Sequence, residues 1–384
     1  MVLDGARTLG AKILVSGGSR CNVTNASIDA GDFWNAGSPF IRQVLRALPV
    51  AQTIAFFQEI GVELKEEPNG KLFPVTNKSR TVLEALLSEV RRLGIEVRTS
   101  SRVAAVAKGP SSWIVDVAGE RLEAAAVVLA TGGLSLPKTG SDGLGYRLAA
   151  AQGHTIVPTT PALDPLILAG DFHTPLSGTT HDAAIRVHRE GSKPLTIRGS
   201  LLWTHFGISG PLALNASRFF HRGRIDGIRT TLTVSFVPDL TEEMLDIHFV
   251  EAARSRAVVK AANEIAREFS LTQALATRVV DHALGDDPPL GKLTRTQRRS
   301  LVTHLTAFPL EVIEGRGYNF AEVTSGGILL DEVNPRTMES RIAPGLYFVG
   351  EILDVDGRIG GFNFQWAWSS GKVAGRAIAD RIGV

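Results

Sequence analysis

Apolar residues recur at helical spacing from Ser79 to Leu93, where Val82, Leu83, Leu86, Leu87 and Val90 share one face and Gly94 stops the run. Two shorter amphipathic segments, Phe40 to Leu48 and Ala51 to Ile60, predict helices. Gly61 to Pro74 reads as a short strand and hairpin, Ile95 to Val97 as a strand, and 103–107 with 113–117 as a meander. Ala125 to Ala130 is apolar throughout, the pattern of a strand buried on both faces, and it enters Thr131-Gly132-Gly133. Lys12 to Asn25 (KILVSGGSRCNVTN) shows neither period and is expected to be a ligand-covering loop.

Beyond Gly153 the texture changes. Pro158, Pro161 and Pro165, then alternation through Ala184 to Arg189 and Ile228 to Phe236, predict antiparallel strands of a separate β domain. A helix is expected over Leu212 to Phe220, helix-rich polar sequence over 241–306, strands at Leu310 to Glu314 and Ala321 to Val333, and a closing helix from about Phe364 to Arg381. The simplest architecture is α/β: a Rossmann-like domain built from 1–153 and 318–384, interrupted by a β-barrel-like insert at 154–240 and 308–317 that carries a small helical subdomain at 241–307.

Composition narrows the class. Apolar residues at 44% and charged ones at 21% suit a globular protein with a substantial core. Net charge is +2 with no run of five Lys/Arg, so no nucleic-acid or anionic-membrane surface is expected. The apolar run Ala124 to Ala130 is far below the roughly 18 residues of a membrane span. With no basic, apolar leader after Met1, a cytoplasmic protein is the expectation, and the single cysteine, Cys21, fits a reducing compartment. Cys21 has no resolving partner and is expected to be a buried packing residue rather than a redox thiol.

Chemistry concentrates near the end of the chain. Gly345 to Gly375 reads as a strand ending in Gly350-Glu351, an acidic glycine-rich turn, and a helix opening on Gly360-Gly361. Glycines allow close backbone approach to a flat cofactor, and a helix start offers free N–H groups and partial positive charge. That favours the negative charge of a reduced flavin. At the other end Val2-Leu3-Asp4 looks like a strand finishing on an acid, either an ordinary turn residue or the acid that holds an adenosine ribose in dinucleotide-binding folds. His205, in Thr-His-Phe-Gly before Ser209-Gly-Pro211, is an acid–base candidate or a structural hydrogen-bonding residue. No spacing suggests a metal site, a nucleophile elbow or a P-loop.

Five ordered stretches, KILVSGGSRCNVTN (12–25), GKLFP (70–74), LATGGLSLPKTGSDGLGYRLAAAQGH (129–154), LLWTHFGISGP (201–211) and residues 322–375, together resemble the bacterial NAD(P)/FAD-dependent oxidoreductases of the BaiN/RdsA, aminoacetone oxidase-like type. The resemblance implies an FAD domain with a barrel-like insert. Asp4 becomes a ribose ligand; Lys12, Ser16, Gly17, Arg20 and Asn22 lie along the flavin and ribityl chain, with Lys12 or Arg20 facing a carbonyl or phosphate. Val103 and Ala104 approach adenine through backbone groups, and Thr131, Gly132 and Gly133 pass near the pyrophosphate. Gly350 and Glu351 approach the ribityl-pyrophosphate region, while Gly360, Gly361, Phe362 and Asn363 meet the isoalloxazine ring; Trp366 and Trp368 are core packing.

Members of that family begin with a strand and a glycine-rich turn, whereas this chain starts at the second strand, roughly 20 to 25 residues later. A start codon placed too late is favoured over a genuinely truncated product. The implied activity is hydride transfer between a small organic substrate or NAD(P)H and FAD, with NAD(P)H binding transiently across the flavin. The alternatives are a homologue unable to bind FAD normally and a flavin-dependent RNA-acting or redox-sensing protein. A small-molecule substrate is expected as partner, and oligomeric state is open.

Overall fold

The computed structural model describes residues 1–34 and 38–383. The chain divides into two compact units, 1–162 with 318–384, and 163–317. The strand Ile156–Ala162, which the proline-rich texture assigned to the insert, pairs antiparallel with Val323–Ile328 inside the first unit.

The first unit holds two parallel ladders. Val2–Leu3 runs beside Val97–Arg98, and Val127–Leu129 beside Leu346–Phe348. Leu346–Phe348 is buried on both faces, whereas Val127–Leu129, expected to be so, buries Leu129 but leaves Val128 exposed. The meander has three strands, Val103–Lys108, Trp113–Val117 and Glu120–Ala124, and its middle strand alternates strictly, with Trp113, Val115 and Val117 buried. The expected helices are Ser38–Arg46, Val50–Glu59 and Ser79–Arg92.

The final helix, Phe362–Ile382, is the unit's spine. It buries Phe362, Trp366, Val373 and Ala374, but also Gln365, Ser369 and Ser370. A buried polar stripe costs free energy unless every group is paired. Here Gln365 Oε1 accepts from Thr24 Oγ1 at 2.7 Å while its Nε2 donates to Leu48 O at 2.8 Å and Thr53 Oγ1 at 2.9 Å. Ser370 Oγ accepts the Gly350 N–H at 2.9 Å, and Trp366 Nε1 donates to Gly350 O at 3.1 Å. Trp366 is therefore core, as expected, with its one polar atom spent on the Gly350-Glu351 turn.

The second unit is a seven-stranded antiparallel sheet in the order Phe308–Leu310, Thr230–Ser235, Thr180–Arg189, Leu195–Thr204, Gly207–Ser209, Leu166–Leu168, Val312–Gly315. Helix Gly210–Asp226 lies on it, burying Leu212, Leu214, Phe219 and Phe220. Four further helices, Glu242–Ser255, Ala261–Glu268, Gln273–Leu284 and Arg295–Thr306, occupy the polar stretch. Thr241, Thr272 and Thr294 cap three of them, each accepting an N–H from the first turn, as hydroxyl side chains at that position do.

Candidate cofactor site

The stretch expected to be a loop at 12–25 begins as a helix. Ala11–Ser19 is helical until Ser16 leaves with φ −64° and ψ 148°, after which Gly17, Gly18 and Ser19 take left-handed φ of 54°, 66° and 65°. Consecutive left-handed residues reverse the chain and defeat any period, so the pattern hid the helical part. Cys21, itself at φ 60°, is fully buried, and burial pushes its thiol up to about 11 against a hydrogen bond from Ser16. Asn22 is buried beside it and its Oδ1 has no hydrogen-bond partner. An unsatisfied buried carbonyl oxygen is uncommon enough to mark a ligand position.

Three chain segments meet through side chains. Lys12 Nζ donates to Glu351 Oε2 at 2.8 Å and to Ser135 Oγ at 2.7 Å. Glu351 Oε1 accepts from the Ser135 hydroxyl at 2.9 Å and from the Thr324 N–H at 3.0 Å. Thr324 Oγ1 accepts the N–H groups of Leu134 and Ser135. The network fixes the turns after both parallel strands at 129 and 348, where a Rossmann-type sheet binds its ligand. Gly133 fits because a side chain there would meet Thr324 Oγ1 at 2.4 Å and Glu351 Oε1 at 2.9 Å. Next to it, Gly145 at the start of helix Leu144–Ala150 leaves room for Thr131. Tyr146 on that helix is buried with its hydroxyl unpartnered, and burial, with Glu351 and Asp354 nearby, raises its pKa.

The opening of the final helix is clamped from outside. Gly361 caps it at φ 95° with no side-chain cap, and a Cβ there would lie 2.5 Å from the backbone carbon and oxygen of Thr24. Asn25 Nδ2 donates to Gly360 O and Asn69 O, both at 3.0 Å, and Asn363 exchanges both amide bonds with the Gly357 backbone at 2.8 and 3.0 Å. Phe362 is buried under the Arg358 guanidinium, and Arg358 pairs with Asp32. Gly350 differs from these packed glycines: at φ 74° it has only Ala367 Cβ, 3.8 Å from where its own Cβ would be. The backbone there is open on one face, a cradle that a side chain would fill.

The remaining expected residues fall in several places. Asp4 ends its strand and its Oδ1 takes the Ala6 N–H at 2.7 Å, an Asx-type turn. Ser16 Oγ donates to Ile13 O. Arg20 stacks on Phe73 at 4.0 Å and donates from Nη1 to both carboxylate oxygens of Glu67, at 2.9 and 3.1 Å. Val103 pairs with Val117, and the register slips before Ala105, leaving Ala104 in the irregular position. His205 belongs to the second unit, exposed on the turn between Leu195–Thr204 and Gly207–Ser209, with Phe206 edge-on at 5.1 Å. Ser135, Thr324 and Tyr146 were not singled out from sequence; they lie inside the family-like stretches, yet only the fold brings them to Glu351. Among the described residues His248, Glu264 and Glu268 have ligand atoms within 4.8 Å of one another. Glu264 is already held by Arg256 and Arg267, and Arg267 also lies 4.0 Å from Glu268, so the two carboxylates stand against two guanidinium groups.

Comparison with known proteins identifies the family. The family described as HI0933-like protein Rossmann domain matches residues 1–377. A 3-dehydro-bile acid delta(4,6)-reductase of Clostridium scindens is 32% identical, covering 99% of this chain and 92% of the relative. A ribosomal RNA dihydrouridine synthase of Escherichia coli is 31% identical, covering 96% and 89%. Among solved structures, a flavocytochrome c3 fumarate reductase covers 99% of this chain and 73% of its own at 15% identity and a TM-score of 0.42. Among the described residues no helix is long and apolar enough to cross a membrane. The chain belongs to the HI0933-like family of FAD-binding Rossmann proteins.

Proposed function

We propose that this chain holds FAD in its first unit and reduces a carbon–carbon double bond conjugated to a carbonyl, with NAD(P)H as the electron source. Three features of that unit support the cofactor placement: the helix start at Gly361 without a side-chain cap, the open face of Gly350 and the buried Asn22 Oδ1 without a hydrogen-bond partner. They fit a flat, anionic, hydrogen-bonding group better than they fit packing. When bound, FAD supplies hydride chemistry at its ring system.

The protein's own work is positioning and electrostatics. The first-turn N–H groups of the final helix favour negative charge at that end of the site, and Asn25, Asn363 and Thr24 keep them from reorienting. Gly350 lets backbone approach where any side chain would intrude. Lys12 and Glu351 hold the two strand-end turns together, and Asn22 offers an acceptor already out of water. No proton-transfer role is proposed for His205, which lies on an exposed turn of the second unit.

The substrate class is supported by what two relatives' names share. A delta(4,6)-reductase of a 3-dehydro steroid and a dihydrouridine synthase both saturate a ring double bond conjugated with a carbonyl. The test supplies the purified chain with FAD and NADPH and follows substrate loss by mass spectrometry, using a 3-oxo-4,6-diene steroid in one arm and a uridine-containing RNA in the other. A gain of two hydrogens in either arm is expected. Flavin reduction by NADPH with neither substrate altered would overturn the reading.

A further inference from the structure

Glu322 is the acid that the network around Glu351 leaves out. It stands between Ala321 and Val323, both buried, directly before the strand Val323–Ile328, every residue of which is buried. The Ser135 hydroxyl, which also meets Glu351 and Lys12, reaches the Glu322 carbonyl oxygen at 3.1 Å. Thr324, two residues on, accepts the Leu134 and Ser135 N–H groups. The backbone of Glu322 is therefore fixed to the same turns as Glu351. Its carboxyl is left over: among the described residues it makes no hydrogen bond and no ion pair within 4 Å.

Two properties of that carboxyl go together only in a recess. Glu322 is exposed, yet burial pushes its carboxyl above the ordinary carboxylate range, with Lys71 acting the other way. A group both open and desolvated has protein on most sides and a space in front of it. Lys71 places that space. It lies opposite Asn25 in the strand register, and Asn25 Nδ2 holds Gly360 O at the opening of the final helix. The carboxyl is thus bordered by the turns at 134–135 and 351 and by the helix start assigned to the flavin ring. Among the described residues Lys71 is the ionisable group that acts on the carboxyl, and the Lys12–Glu351 pair reaches only its backbone carbonyl, through Ser135. Glu67, by contrast, sits between Arg20 and Lys65 at 2.9 and 3.3 Å.

We propose that Glu322 is the proton donor for the reduction, giving its O–H proton to the carbon α to the substrate carbonyl. The role rests on the reaction proposed for this site. Hydride addition at the β carbon, with both electrons drawn from the nicotinamide, leaves an enolate. The Glu322 O–H bond then breaks, the new C–H bond forms at the α carbon, and the carboxylate regains a proton from water. A carboxyl that keeps its proton to higher pH than usual suits this, since an ordinary carboxylic acid is ionised at neutral pH and has nothing to give. Lys71 favours the carboxylate that is left. Tyr146 is the weaker donor, because burial raises a phenol that is already a weak acid.

Glu322→Gln removes the proton and keeps the shape. In stopped-flow mixing, the FAD-loaded variant should be reduced by NADPH within about twofold of the wild-type rate and bind FAD as tightly. Reoxidation of its flavin by whichever of the two test compounds the wild type reduces should slow at least about 100-fold, the lower end of what general-acid catalysis supplies. Glu322→Asp should recover part of that rate. A second readout needs no flavin. The folded wild type holds a proton that the unfolded chain releases from the ordinary value of 4.5, so its urea midpoint should fall relative to Glu322→Gln as pH rises from 5, and run parallel once the folded value is passed. Reoxidation of Glu322→Gln at the wild-type rate would overturn the donor role, as would parallel urea midpoints from pH 5 to 8, or equal losses in NADPH reduction and FAD binding. A wild type that reduces neither compound would overturn the reduction itself, and the donor role with it.

Discussion

Gly361→Ala and Gly371→Ala make the same change in one helix and should move stability in opposite directions. At Gly361 the added methyl would sit 2.5 Å from the Thr24 carbonyl carbon and oxygen, backbone atoms that cannot turn aside, and the residue would keep a φ of 95°. Left-handed φ costs a non-glycine residue about 1–2 kcal/mol, and overpacking a rigid contact about 1–3 kcal/mol more, so a loss of roughly 2–5 kcal/mol is expected. Gly371 is an exposed helix-interior position with nothing within 4 Å of its Cβ. There alanine should add about 0.5–1 kcal/mol through lower unfolded-chain entropy and better helix propensity. Urea unfolding followed by tryptophan fluorescence reads both, provided the slope with denaturant is unchanged. A Gly361→Ala chain as stable as the wild type would refute the clamped helix start. So would a Gly371→Ala chain that lost as much.

Glu351→Ala should cost about 2–4 kcal/mol, because Lys12, Ser135 and the Thr324 N–H lose their shared acceptor in a half-buried site; Glu351→Gln should recover part of it, both read by the same unfolding curve. Cys21 provides a pH test. Its folded value of about 11 lies above the ordinary thiol value of 9.0, so its contribution is complete below pH 9 and lost as pH rises from 9 towards 11, by about 3 kcal/mol at most. Cys21→Ala should flatten stability between pH 9 and 11 relative to the wild type. Alkylation of native Cys21 at pH 7.5 should be slow until the chain is unfolded, which mass spectrometry after iodoacetamide would show.

Local pattern carried far in some places and not at all in others. The helix over 79–92 was legible because burial on one face writes a period directly into the sequence; the strand at 127–129 was found by its apolar run, yet its Val128 is exposed and the expected two-sided burial is not there. The Gly360-Gly361 helix start was legible because a turn needing positive φ leaves glycines behind. The ion pair of Lys12 with Glu351 joins residues 339 positions apart, and no period reports on that. The pairing of Arg20 with Glu67 was equally hidden, because Glu67 lies on a separate strand 47 positions on.

The sharpest test of the cofactor site is the affinity of FAD for Gly350→Ala. Its side chain would touch nothing nearer than 3.8 Å, so the protein alone should lose only about 1–2 kcal/mol, the strain of a left-handed alanine. Titration of FAD against the folded chain, followed by quenching of flavin fluorescence, should saturate at one FAD per chain. With Gly350→Ala, affinity should fall at least tenfold while unfolding shows the variant folded. Undiminished FAD binding by that variant would contradict the placement of the cofactor against Gly350.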